Sequence, residues 1–122
     1  PDLGLLATSG TELEHAARDI GLPTFSEIFA DRGYLATGRL VPRSREGAMI
    51  HDPEAATARL VEFLSTGLMP TIEGKSIPLA AQSICVHGDS AGAVAMARHV
   101  RAGLEAAGVV VAPFLPAAGE PA

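Results

Sequence analysis

The chain of 122 residues is poor in aromatic and in basic residues. It contains no tryptophan, aromatic residues make up only 4% of it, and its formal net charge is −5. Proteins that bind nucleic acid usually carry a basic stripe that neutralises phosphates, so this charge balance argues against nucleic-acid binding. No apolar run approaches the ~20 residues that a membrane-spanning helix needs, which predicts a soluble protein without a membrane partner.

Cysteine is equally scarce. Cys85 is the single cysteine, so it cannot form a disulfide within the chain. It lies inside an apolar run, where a free cysteine behaves as a small buried hydrophobic residue. We therefore expect a reducing, cytoplasmic setting.

Aliphatic residues supply most of the 48% hydrophobic content, and they alternate between strand-like and helix-like patterns. This alternation predicts an α/β fold with a parallel sheet. Asp52 followed by Pro53 is a favoured helix start. The first predicted elements are a short apolar run at 4–7 and a helix that starts near Thr8 or Ser9, with Leu13, Ala16, Ala17 and Ile20 at helical spacing. A strand at 24–30, a loop at 35–51 and a helix from Asp52 to Gly67 follow. The remaining elements are a hairpin within 69–78, a strand at 82–87, a helix from Asp89 or Ser90 to Gly108, and a strand at 109–112.

Two predicted strands end in polar clusters. Asp31 and Arg32 follow the strand at 24–30, and His87, Gly88 and Asp89 follow the strand at 82–87. In parallel α/β folds the ligand lies beyond the carboxyl ends of the strands, so these side chains are candidates for a functional site. The alternative is structural: each Asp caps a turn or helix, and the histidine is a hydrogen-bonded core residue.

The segment Gly88–Gly92 also matches the G-x-S-x-G pattern of serine hydrolases. Such a hydrolase requires a carboxylate and a histidine later in the chain. No Asp follows Ser90, and the only later histidine, His99, is on the same predicted helix. We therefore interpret Ser90 as a helix N-cap beside backbone N–H groups that can bind an anion.

Metal binding and anion binding remain open from the residues alone. His87 and Asp89, with Asp31 as a third ligand, could hold a metal, but no His-x-x-x-His pair or cysteine cluster supports this. Arg39, Arg43 and Arg45 lie in the long loop. They are either an exposed polar surface or a clamp on a carboxylate or phosphate.

Three blocks in this order resemble the LamB/YcsF family, which includes the A subunit of 5-oxoprolinase. They are Glu27–Tyr34 with Gly38–Arg43, Ile84–Asp89 with Gly92–Val94, and the closing Val111–Phe114. The resemblance implies a distorted β/α barrel of the glycoside hydrolase/deacetylase type. It also implies that the protein acts with two partner subunits to open 5-oxoproline to glutamate, with ATP, and therefore Mg²⁺, used by the complex.

By the same resemblance, His87, Asp89 and Asp31 would be catalytic, and Arg32, Arg43 and Ser90 would bind the substrate or a phosphate. Motifs of the family's N-terminal half are absent, namely an Asn-Cys-Asp-Leu-Gly-Glu strand, a Gly-Phe-His-Ala-Gly-Asp turn and a Lys-Pro-His-Gly segment. We therefore expect residues 1–116 to be the C-terminal half of one barrel domain, residues 117–122 to be a flexible tail, and the missing half to be a partner. The alternative function is a non-catalytic module that binds a small anion or a partner protein.

Overall fold

The computed structural model describes residues 3–88 and 91–115. Eight elements follow one another along this part of the chain. They are β1 (Leu5–Thr8), α1 (Glu12–Asp19), β2 (Thr24–Phe29), α2 (Pro53–Thr66), β3 (Leu68–Pro70), β4 (Ser76–Pro78), β5 (Ser83–Cys85) and α3 (Ala93–Ala106).

Strands β1, β2 and β5 form a parallel sheet with β2 in the centre. Strands β3 and β4 form a separate antiparallel pair, which confirms the hairpin predicted within 69–78. The parallel α/β class is therefore confirmed. Within residues 3–88 and 91–115 the sheet has three parallel strands and does not close on itself, so the barrel stays a prediction.

The core lies between one face of the parallel sheet and helices α2 and α3. Alternation along β2 directs Ile28 to this face, where it is fully buried. The buried cluster contains residues from the parallel sheet, the following loop, both helices and the β3–β4 pair: Ile28, Ala30, Tyr34, Ala56, Leu60, Phe63, Met69, Ile77, Met96, Val100 and Leu104. No helix in the described residues is long and apolar enough to cross a membrane.

The start of helix α2 confirms its sequence signal. Asp52 is the N-cap, its side chain accepts a hydrogen bond from the Glu54 N–H at 3.1 Å, and Pro53 occupies the first turn. Gly67 ends the helix with a φ of 76°, a left-handed conformation that glycine adopts at low cost.

Helix α1 differs from its prediction. It begins at Glu12 after the N-cap Thr11, and Leu13 and Ile20 are 59% and 80% exposed rather than buried. Glu14 is buried instead, because its carboxylate accepts hydrogen bonds from the Ser26 hydroxyl and the Gly10 N–H. These polar contacts orient the helix together with Ala17, which is the one buried residue of the four predicted apolar positions.

Two predictions near the C-terminus were wrong. Helix α3 begins at Ala93 with Gly92 as its N-cap, not at Asp89 or Ser90. Residues 109–112 form no strand: Val109 N–H closes the end of α3 on the Leu104 carbonyl, and Val110 is 85% exposed. The β-branched run has the propensity for a strand, but strand formation also requires a neighbouring edge to pair with. The predicted tail, 117–122, lies outside the described residues.

Candidate active site

Asp31 and His87 meet at the carboxyl edge of the parallel sheet. Asp31 lies two residues beyond β2, and His87 lies two residues beyond β5. The parallel register of these neighbouring strands pairs Phe29 with Cys85, so the next residues on the same face are Asp31 and His87. The His87 Nδ1 and Asp31 Oδ1 atoms are 2.7 Å apart.

Both side chains are largely buried, with 18% of His87 and 8% of Asp31 exposed. The imidazole is stacked on the Phe29 ring, with centroids 5.5 Å apart and an interplanar angle of 12°. An ionised carboxylate only accepts hydrogen bonds, so the Nδ1 atom donates to Asp31. In the neutral imidazole with this tautomer the Nε2 atom is a proton acceptor, and its orientation is set by Asp31 and Phe29.

The pair lines a small cavity of about 140 Å³. Its other walls come from the end of the long loop and the starts of α2 and α3. These residues are Met49, Ile50, His51, Pro53, Ala91, Gly92, Ala93, Ala95 and Met96. Two helix N-termini therefore border the cavity. The N-terminus of α3 has no side-chain cap and its partial positive charge favours an anionic group, whereas that of α2 is already capped by the Asp52 carboxylate.

Arg32 is buried, but its guanidinium donates hydrogen bonds to the long loop. Its Nε donates to the Ala48 carbonyl at 3.1 Å, and one terminal nitrogen donates to the Val41 carbonyl at 2.8 Å. Gly33 follows, and a Cβ at this position would lie 2.0 Å from the Gly47 carbonyl oxygen. Arg32 and Gly33 thus hold the long loop tightly folded on itself beside Asp31.

The other predicted site residues do not join the pair in the described structure. Arg43 is exposed, as are Arg39 and Arg45, and none of the three lines the cavity. Asp89 and Ser90 lie outside the described residues. The assignment of these residues stays a prediction.

For a metal ion the described residues supply too few ligands. Within 3–88 and 91–115 no group of three His, Cys, Asp or Glu side chains could hold one. Asp31 and His87 are in addition hydrogen-bonded to each other. The donors in these two ranges therefore do not fit a metal centre.

The sequence patterns did not indicate Arg59, which organises the end of β2 from helix α2. Its terminal nitrogens donate to the carbonyls of Phe29, Ala30 and Arg32 at 2.6 to 2.8 Å. Burial lowers the pKa of this guanidinium, and the Tyr34 and Asp31 charges oppose that shift. The sequence signal that could have identified Arg59 is its helical spacing from Ala56 and Phe63, which places it next to the buried stripe of the helix.

Tyr34 was also missed, and it gives a prediction on pH. Its hydroxyl accepts a hydrogen bond from the Phe29 N–H at 3.0 Å, and burial raises its pKa above the ordinary value of 10.0. The unfolded chain therefore loses the tyrosine proton first. We expect the free energy of unfolding to fall as the pH rises above 10.0, through the pKa of the folded state.

Tyr34 is the only tyrosine, so Tyr34→Phe should flatten this alkaline decline. Cys85, whose pKa is also raised by burial, leaves a residual slope of the same sign. Urea unfolding followed by circular dichroism across the alkaline range measures both slopes. An identical slope in the variant and the parent would contradict the prediction.

Fold and site together define a parallel α/β protein with a hydrogen-bonded Asp–His pair at the carboxyl edge of its sheet. The chain belongs to the LamB/YcsF family, whose model matches residues 1–119.

Its relatives agree with this membership. The chain is 50% identical over 116 residues to the A subunit of 5-oxoprolinase from Azorhizobium caulinodans, covering 95% of this chain and 46% of that protein. It is 49% identical over 115 residues to the corresponding 5-oxoprolinase protein of Nocardia farcinica, covering 94% and 46%. A lactam utilization protein from Thermus thermophilus, of known crystal structure, superposes with a TM-score of 0.85 at 38% identity, covering 93% of this chain and 45% of that one. The chain thus spans a little less than half the length of these relatives.

Proposed function

We propose that this chain is part of an enzyme that opens the lactam ring of 5-oxoproline to give glutamate. The observation that carries the proposal is the oriented Asp31–His87 pair at the carboxyl edge of the sheet. The names of the relatives, which refer to 5-oxoprolinase and to lactam utilization, support the choice of a lactam as substrate.

The pair suits hydrolysis of an activated amide. His87 Nε2 accepts a proton from water as the water oxygen bonds to the lactam carbonyl carbon. The carbon–nitrogen bond then breaks, and the protonated His87 gives its proton to the departing ring nitrogen, which becomes the amine of glutamate. Asp31 keeps the imidazole in the required tautomer and stabilises it when it is protonated, as in other His–carboxylate pairs.

The borders of the cavity suit an anionic group, either the carboxylate of the substrate or a phosphate. The N-terminus of α3 supplies partial positive charge, because no side-chain cap is bonded to its first turn. Ser90 and Asp89, which precede this turn in the chain, are proposed as the hydroxyl and second carboxylate of the site. Arg43 and Arg32 are proposed for the anion as well, although Arg32 already donates to loop carbonyls.

ATP would drive the reaction by transferring its γ-phosphoryl group to the lactam carbonyl oxygen, with ADP leaving, and this would give the activated amide that water attacks. Ring opening then leaves an acyl phosphate, from which a second water would release phosphate and glutamate. We propose that ATP, with Mg²⁺, is used by a complex of this protein with two partner subunits. The relatives are named as one subunit of 5-oxoprolinase, which is consistent with such partners.

The second face of the sheet supports a longer protein with a closed barrel. Leu6 is 42% exposed on this face, and Phe25 beside it in register is part-exposed. The helices in the described residues pack on the opposite face, against Ser26 and Ile28. We propose that the remaining half of the relatives' length covers the exposed face and completes a distorted β/α barrel.

The test is an assay of the complete protein with its partner subunits. We expect ATP-dependent release of glutamate from 5-oxoproline, with both partners required. If the complete complex binds anions but releases no glutamate, the non-catalytic alternative replaces this proposal.

A further inference from the structure

A row of polar residues crosses all three parallel strands, on the amino-terminal side of the Asp31–His87 pair. In register, Thr8 of β1 lies beside Glu27 of β2, and Glu27 lies beside Ser83 of β5. The Ser83 hydroxyl donates to Glu27 Oε2 at 2.9 Å. This row is on the face that the described helices leave open, because Ser26 and Ile28 on either side of Glu27 point to the helices.

Rows of apolar residues lie on both sides of Glu27 along the strand direction. Leu6 and Phe25 form the row on one side, and Phe29 and Cys85 form the row on the other. A carboxylate in such a setting is costly unless donors meet it, because it is acceptor-only and loses hydration when the face is covered. The Ser83 hydroxyl provides one donor, to one of the two carboxylate oxygens.

The polar row and the candidate active site share one continuous face. The next row toward the carboxyl edge is Phe29 with Cys85, and beyond it come Asp31 and His87, with the His87 ring stacked on Phe29. The pKa of the Cys85 thiol is raised by its burial and then by the charges of Glu27 and Asp31, so both carboxylates act on the same thiol.

We propose that Glu27, held by Ser83, is a further substrate-binding residue that accepts a hydrogen bond from the ring N–H of the lactam and then from the ammonium of the opened product. This assignment rests on the proposed function. A carboxylate selects N–H donors, and a ring oxygen in place of the N–H would leave two acceptors facing each other. Glu27 thereby selects lactams over lactones of the same shape.

The test uses Glu27→Met, which keeps the length of the side chain and removes the acceptor. In the complete complex we expect the KM for 5-oxoproline to rise roughly 10- to 100-fold, the range of a hydrogen bond to a charged group. The inhibition constant of the matching lactone, in which an oxygen replaces the ring N–H, should stay unchanged or improve. A merely structural role would weaken lactam and lactone alike.

Glu62→Gln, on the exposed surface of α2, is the matched control and should leave both constants unchanged. Glu27→Gln retains a neutral acceptor and should give an intermediate KM. This variant tests the role of Glu27 if the Met variant does not fold. A complex with parent-like constants in both Glu27 variants would overturn this assignment alone. A parent complex that does not turn over 5-oxoproline would overturn the proposed function and this assignment together.

Discussion

Asp31→Asn in the complete complex is expected to lower kcat for lactam opening about 10²- to 10⁴-fold, the usual contribution of a general acid–base group. The Asn amide can donate an N–H to His87 Nδ1. The imidazole then carries its own proton on Nε2, so Nε2 can no longer accept a proton. His87→Ala should cause a loss of the same order, since it removes the base itself. The two losses should not add, because the residues act as a unit.

Stability separates this effect from unfolding. Asp31 is buried, so the melting temperature of each variant is measured beside its kcat. Asp19→Asn at the exposed end of α1 is the control and should change neither quantity. Turnover near that of the parent protein in both Asp31→Asn and His87→Ala would refute the assignment of the catalytic pair.

Arg59→Met should destabilise the fold by about 3 kcal/mol, since it leaves carbonyl acceptors without their charged donor at a cost of about 1 to 3 kcal/mol each where they are buried. The substitution preserves an apolar stem that can still pack near the Tyr34 ring, over which the guanidinium carbon lies at 5.6 Å from the centroid. It removes the donors to the Phe29, Ala30 and Arg32 carbonyls, and of these three residues Ala30 and Arg32 are buried.

Urea unfolding at neutral pH measures this loss, with Arg98→Met as the control. Arg98 is exposed on α3, so its substitution should change the unfolding free energy by less than about 0.5 kcal/mol. Equal effects of the two substitutions would show that the Arg59 hydrogen bonds contribute nothing beyond ordinary surface packing. Because Arg59 holds the end of β2, we also expect Arg59→Met to lower kcat through Asp31.

Much of the fold could be predicted because its signals are local. The Asp52-Pro53 start of α2, its end at Gly67 and the hairpin at β3 and β4 each depend on backbone preferences of a few neighbouring residues. Of the buried face predicted for helix α1 only Ala17 is buried, because the orientation of the helix also depends on Ser26, which is 12 residues from Glu14 along the chain. The strand predicted at 109–112 failed for a related reason, since a strand requires a partner that its own residues do not contain.

The candidate site was predicted in part. The sequence indicated Asp31 and His87 because polar residues that follow buried parallel strands gather at one edge of the sheet. It did not indicate Arg59, Tyr34 or the row at Glu27, which look like ordinary residues of a helix, a loop and a strand. Arg32 was expected to face a ligand, whereas its guanidinium bonds two loop carbonyls.

By itself the sequence determined the α/β class, the family and the two strand ends that hold the candidate site residues, since each depends on short motifs in a fixed order. Only the tertiary structure decided that Asp31 and His87 hydrogen-bond across 56 residues of chain. It alone also decided which arginine is buried and which face of the sheet carries Glu27. The physical reason is that register between strands and packing between helices set these contacts, and both are properties of residues far apart in the sequence.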